Sequence, residues 1–194
     1  DFNAGPPVVL QLLDEIRRAG IRCKFLFLSS AAVYGIPPTL PVDENAPMNP
    51  ISPYGYHKLM CEKAIEEFGA LYGVDYAILR VFSCYGEGFK KQLLWDIINK
   101  LNTNPLVLEL SGTGDESRDF IEVRDLMRVI QLLLTEGFSG TINVASGKEV
   151  TVREIAEKLS LAYAGKNVEL FFSGEQRRGD PCQWKANVDK LNGL

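Results

Sequence analysis

The chain has 194 residues, 46% of them hydrophobic, enough for one sizeable core or two small ones. Twenty-five acidic residues against 21 basic ones, with no basic cluster, give no reason to expect nucleic acid or an anionic membrane surface as partner. Cys23, Cys61, Cys84 and Cys182 form neither a CxxC pair nor a metal-ligand spacing, no apolar run approaches the roughly 20 residues of a membrane span, and the acidic start is unlike a secretory signal; free thiols in a cytoplasmic protein are expected.

Apolar β-rich runs alternate with helical patterns, the order of an α/β fold with a mostly parallel sheet. Residues 8–19 carry helical spacing and stop at Gly20, and Phe25 to Leu28 is a short apolar strand of the buried, central kind. Ser52 and Pro53 supply an N-cap and a proline at the first helical position, opening a helix that runs to Gly73. Tyr76 to Phe82 is the next strand, 89–101 a helix, Pro105 to Leu110 extended, and Gly112 to Gly114 a turn. Residues 122–136 are helical and Thr141 to Ala145 a strand. Thr151 and Glu154 form a capping box for a helix to about Ala164, and Val168 to Phe172 is a last strand. The glycine- and proline-rich stretch 35–53 is the one long irregular connection, and it ends where the Tyr54 helix begins; long loops of this kind are often functional.

Tyr54 and Lys58 lie four residues apart on that helix, so an ammonium shares a face with a phenol. A phenol titrates near 10 when unperturbed, and a neighbouring cation stabilises its anion. Ser30 stands at the carboxyl end of the preceding strand, where α/β sheets place reactive groups, and its hydroxyl can hold a substrate oxygen near the phenol. The three make a proton-transfer site for an alcohol. Taken alone, the tyrosine and lysine spacing is also that of an ordinary surface pair, and the neighbouring motifs decide between the two.

Those motifs are Ser29-Ser-Ala-Ala-Val-Tyr-Gly35, Pro41-Val-Asp-Glu44, Pro50-Ile-Ser-Pro-Tyr-Gly-Tyr-His-Lys58, Leu79-Arg-Val-Phe-Ser-Cys-Tyr-Gly86 and Ser117-Arg-Asp-Phe-Ile-Glu-Val-Arg-Asp125. In this order the chain resembles the NAD-dependent epimerase/dehydratase family of extended short-chain dehydrogenases/reductases, from about residue 8 to the end. The resemblance implies a partial Rossmann-like doubly wound parallel sheet with a smaller C-terminal α/β substrate domain. Residues 1–88 would be the C-terminal part of the NAD-binding domain and 89–194 mainly the substrate domain, with about 119–147 returning to the first.

By the same resemblance Tyr54 is the base that takes the proton from a sugar hydroxyl, usually at C4, while hydride passes to NAD and leaves a 4-keto sugar. Lys58 would bond the nicotinamide ribose and stabilise the phenolate, and Ser30 would steady the reacting oxygen. Leu28, Ser29 and Phe82 would also contact the cofactor. Arg118 and Arg177 would meet the nucleotide phosphates, as the planar guanidinium suits, and Asp180 a ribose hydroxyl. Ser83 stands where the family often has asparagine against the nucleotide sugar, and Gln92-Leu93 where it often has Asn-Leu; the shorter reach of Ser83 leaves the sugar open. The family's usual homodimer would pair helices at about 7–19 and 53–72.

Sugar 4,6-dehydratases of this superfamily carry an Asp-Glu pair after the serine, and this chain has Ala31 and Ala32. A methyl group exchanges no proton, so oxidation and reduction at one carbon are expected rather than elimination. That pattern is similar to UDP-glucose 4-epimerases, with nucleotide-sugar 4-reductases, dehydratases or a non-catalytic binding or pairing module as the alternatives. His57 is the only histidine, so a histidine-rich metal centre is excluded and no metal is expected. Trp95 and Trp184 are read as packing residues.

A nucleotide-sugar epimerase should open with a strand and a glycine-rich turn that cradles the pyrophosphate. Here Asp1-Phe-Asn-Ala-Gly-Pro-Pro7 leads directly into the helix before the Ser30 strand. At about 30 residues per βαβ unit, roughly 60–90 residues would precede this chain in a complete relative, and the end at Asn192-Gly-Leu194 is also early. The chain is therefore expected to be a fragment that binds NAD poorly and is inactive by itself.

Overall fold

A computed structural model describes residues 2–165, 168–175 and 181–194. Its first layer is a parallel sheet in the order β1 (Lys24–Ser30), β2 (Asp75–Val81), β6 (Gly140–Val144). The register sets Leu28 opposite Leu79, Ser29 opposite Arg80 and Ser30 opposite Val81. Among the described residues β1 pairs with β2 alone, so its other edge is open.

Alternation along β2 divides the core between two faces, because successive side chains leave a strand on opposite sides. Tyr76 and Ile78 pack under α1 (Pro6–Ala19) and α2 (Pro53–Tyr72), with Val9, Leu13, Ile65 and Phe68. Ala77, Leu79 and Val81 face the other way, against Leu126 and Leu133 of α4 (Val123–Thr135) and Ile142 of β6. Helices on both faces of a parallel sheet make the doubly wound arrangement expected, and each fully buried Leu or Ile contributes about 1.5–3 kcal/mol.

A second, smaller lobe forms on α3 (Gln92–Thr103), α5 (Val152–Ala164) and the parallel pair β4 (Val107–Leu110) and β8 (Glu169–Phe172), around Ile97, Leu101, Leu108 and Ala156. Between the lobes, β3 (Ser83–Tyr85) pairs parallel with β5 (Ser117–Glu122), and β5 antiparallel with β7 (Glu149–Thr151). A four-residue α6 (Asp189–Asn192) follows.

The caps foreseen are present. Ser52 accepts from the Gly55 amide, Gly73 ends α2 in the left-handed region, and Thr151 and Glu154 form a reciprocal capping box. The sequence does not display strands β3, β5 and β7: two are only three residues long, and β5 reads Ser-Arg-Asp-Phe-Ile-Glu, with neither an apolar run nor a polar-apolar alternation although its burial alternates. Phe82 falls between β2 and β3, its amide donating to the Val144 carbonyl. The helix expected from 89 begins at Gln92, because Lys91 is still extended, with φ −151°.

Candidate active site

Ser30 ends β1 and caps a one-turn 3₁₀ helix, Ala31–Val33, its Oγ accepting from the Ala32 amide at 3.2 Å. The chain then turns at Gly35, whose φ of +65° suits glycine and where a β-carbon would lie 1.8 Å from the Asn49 carbonyl oxygen. This close approach folds the 35–53 connection back on itself and delivers Ser52 to the start of α2. The first turn of α2 then lies backbone to backbone on the 3₁₀ turn, and Tyr54 comes to the same cleft as Ser30.

That cleft, of about 720 Å³, runs between the two lobes. The carboxyl ends of β1 and β2 supply Ser29, Ser30 and Val81, Phe82 and the first residue of β3, Ser83, follow, and α3 supplies Gln92, Leu93 and Asp96. Glu116, Arg118, Cys182 and Trp184 close the opposite wall. Tyr54 is 44% exposed and borders the cleft.

Lys58 lies one turn behind Tyr54. Its Nζ donates to the Leu28 carbonyl at 2.7 Å and sits 4.7 Å from the centre of the Phe27 ring and 5.8 Å from that of Tyr54. Burial lowers the Lys58 ammonium below its ordinary value, against the opposing pull of Cys61 and Glu62. An ammonium has three donors, so two remain beyond the Leu28 carbonyl.

The expected residues fall into groups. Ser30, Tyr54, Ser83, Gln92, Leu93, Phe82 and Arg118 all line the cleft. Arg118 Nη1 donates to the carbonyls of Ser117 at 2.7 Å and Pro181 at 3.0 Å, which fixes its guanidinium in the wall. Gln92 carries a φ of 71°, unusual for a side chain other than glycine and typical of strain held at functional positions. Ser29 also borders the cleft, but its hydroxyl donates to the buried carboxylate of Glu62, so the backbone is the part left to meet a ligand. Leu28 offers a side chain that is 42% exposed beside Lys58. Arg177 and Asp180 lie outside the described residues. Trp184 is buried and packs edge-on against Phe82 at 5.6 Å, so it is at once a core residue and part of the cleft wall.

Two features went unread in the sequence. Glu62 and Arg80 form a buried ion pair at 2.8 Å directly behind the site. The signal was present: an arginine inside the apolar run Tyr76 to Phe82 and a glutamate four residues after Lys58 are each costly to bury without a partner. The other is Glu116. Burial pushes its carboxyl up, but the amides of Thr113 at 3.0 Å and Gly114 at 2.9 Å, with the Thr113 hydroxyl, hold it on balance below its ordinary value. Asp96, the other carboxylate in the cleft wall among the described residues, is paired with Lys100 at 2.7 Å. Glu116 is engaged by those amides and Asp96 by an exposed ion pair, and Ala31 and Ala32 have no proton to give. The arrangement suits reversible proton transfer at one hydroxyl through Tyr54.

Known proteins share the sequence pattern and fold of this chain. The chain is 32% identical over 202 residues to a putative UDP-glucose 4-epimerase of Methanocaldococcus jannaschii, covering 95% of this chain and 65% of the relative. It is 34% identical to the UDP-glucose 4-epimerase of Azospirillum brasilense, with 94% and 57% covered. The chain thus spans less than two thirds of the length of these relatives. Among solved structures, a UDP-N-acetylglucosamine 4-epimerase from Methanobrevibacter ruminantium, in complex with UDP-N-acetylmuramic acid, superposes with TM-score 0.84 at 30% identity, covering 95% of this chain and 60% of that one. A UDP-glucuronic acid 4-epimerase from Bacillus cereus, in complex with UDP-glucuronic acid and NAD, gives 0.85 at 26%, with 96% and 59% covered. The profile of the NAD dependent epimerase/dehydratase family matches residues 7–145, and the chain belongs to that family.

Proposed function

We propose that the protein is a nucleotide-sugar epimerase that uses NAD and acts on a UDP-hexose at C4 through a transient 4-keto sugar. The observation that carries this reading is the convergence of Ser30 and Tyr54 on one cleft, with Lys58 behind the phenol and alanines, not acids, after the serine. NAD, when bound, supplies the acceptor and donor of the C4 hydrogen and its electron pair. Its fit to these residues rests on the two remaining donors of the Lys58 ammonium, suited to ribose hydroxyls, and on the exposed apolar surface of Leu28 beside them.

Tyr54 takes the proton of the sugar O4 and returns it to the opposite configuration, and Lys58 stabilises the phenolate between the two steps. Ser30 holds the reacting oxygen against the phenol. Arg118 faces the diphosphate from the opposite wall, and Ser83, Gln92 and Leu93 bound the sugar. Elimination of water needs an acid and a base beside the ring, and the alanines together with the tied carboxylates of Asp96 and Glu116 disfavour it.

A homodimer is part of the same proposal. The exposed apolar side chains Leu10 and Leu12 on α1 and Tyr56 and Met60 on α2 support a helix-to-helix contact between copies. A cytoplasmic location rests on the unpaired thiols of Cys23, Cys61 and Cys84; among the described residues no helix is long and apolar enough to cross a membrane. The test is Tyr54→Phe in the full-length protein. Interconversion of a UDP-hexose pair should stop while the circular dichroism spectrum is kept, and full activity in the variant would overturn the mechanism.

A further inference from the structure

Glu62 follows Lys58 by four residues, so Tyr54, Lys58 and Glu62 form one stripe along α2. Glu62 is fully buried. Its Oε1 accepts from the hydroxyl of Ser29, the residue next to Ser30 on β1, and its Oε2 accepts from Arg80 of β2 through Nε at 3.1 Å and Nη2 at 2.8 Å. Ser29 and Arg80 are themselves register partners across β1 and β2. Arg80 also donates to the Tyr34 hydroxyl at 3.0 Å and the Glu44 carbonyl at 2.9 Å, which ties in the turn after Ser30 and the loop before α2.

We propose that Glu62, clamped between Ser29 and Arg80, is a positioning residue that sets the register of α2 against β1 and so holds Tyr54 and Lys58 opposite Ser30. Alternation places Ser29 inward and Ser30 at the cleft, so a single bond from Ser29 to Glu62 fixes the catalytic stripe with respect to the catalytic serine. A slip of α2 by one residue would turn that stripe by about 100° and carry the Tyr54 phenol away from the cleft. The inference rests on the epimerase reading for its catalytic consequence and on geometry alone for its structural one.

The ion pair would also serve stability, and two variants separate the roles. Replacing a buried pair by apolar residues of similar shape commonly keeps or raises stability. In Glu62→Leu/Arg80→Met the thermal midpoint is therefore expected near that of the parent. A crystal structure of that variant is expected to show Lys58 Nζ no longer bonded to the Leu28 carbonyl, and turnover to fall at least 100-fold with KM for the UDP-hexose changed less than threefold. A folded variant that keeps both the Lys58 hydrogen bond and parental turnover overturns the proposal. Should that variant fail to fold, Ser29→Ala removes one hydroxyl from an otherwise unchanged strand. It is expected to displace Lys58 from the Leu28 carbonyl and lower turnover about tenfold; a crystal structure with that hydrogen bond unchanged overturns the proposal. Absence of turnover in the unaltered protein would count against the epimerase reading, and the crystallographic comparison would still decide this one.

Discussion

A β-carbon on Gly55 would lie 2.5 Å from the carbonyl oxygen of Ala32, so the helix of Tyr54 can approach the turn after Ser30 only because the intervening residue has no side chain. A backbone oxygen cannot step aside as a flexible side chain does. Gly55→Ala should therefore push the first turn of α2 outward, at a cost of about 1–3 kcal/mol of stability by overpacking. The larger effect is expected on activity, because Tyr54 moves with that turn. Urea denaturation measures the first and steady-state turnover of a UDP-hexose the second; a Gly55→Ala protein of parental turnover would show that the close approach does not set the site.

The Glu62–Arg80 pair predicts a non-additive pattern of stability. Each partner is almost wholly buried, with 0% and 3% of the side chain exposed. Removing one leaves an unpaired buried charge, so Glu62→Leu and Arg80→Met should each cost about 3–5 kcal/mol, while together they cost much less than the sum. A double-mutant cycle by denaturant unfolding checks this, and additive losses would mean that the two charges are stabilised independently.

Tyr34 gives the fold a defined alkaline weakness. Burial raises its phenol from the ordinary 10.0 to about 12, only partly opposed by the neighbouring Arg80. Between those values the folded chain keeps a proton that the unfolded chain has released. Its contribution is thus complete below pH 10 and is lost as pH rises towards 12, with a slope of at most about 1.4 kcal/mol per pH unit. Tyr34→Phe should decline less over that window. At neutral pH it should already be weaker by about 1–3 kcal/mol, since Arg80 Nη1 and Asn143 Oδ1 lose the hydroxyl they share. Unfolding by urea at pH 8, 10 and 11 separates the two effects.

Much of this site was legible in the sequence because its parts are local. The strand before Ser30, the cap at Ser52 and Pro53, and the four-residue step from Tyr54 to Lys58 each depend on neighbours within one turn or one strand. What escaped depends on pairings distant along the chain. Glu62 meets Arg80 across 18 residues and Ser29 across 33. Nothing local in the sequence marks Glu116, and only the folding of the Gly112 to Gly114 turn onto it shows that its oxygens are occupied. The short strands β3 and β7 have too few residues to display a period, and they form because β5 stands between them.

Gln92 offers a separation of stability from function. Its φ of 71° is a left-handed conformation that glycine adopts without strain, whereas in other residues it costs about 1 kcal/mol or more. Gln92→Gly should therefore unfold at the same urea concentration as the parent or a higher one, by up to about 1 kcal/mol, despite losing a side chain. The side chain borders the cleft, so the same change should weaken sugar binding. The expected result is KM for the UDP-hexose raised several-fold with kcat nearly kept, since Tyr54, Lys58 and Ser30 are untouched. A variant that is destabilised and binds normally would assign Gln92 to helix packing at the start of α3 and remove it from the substrate site.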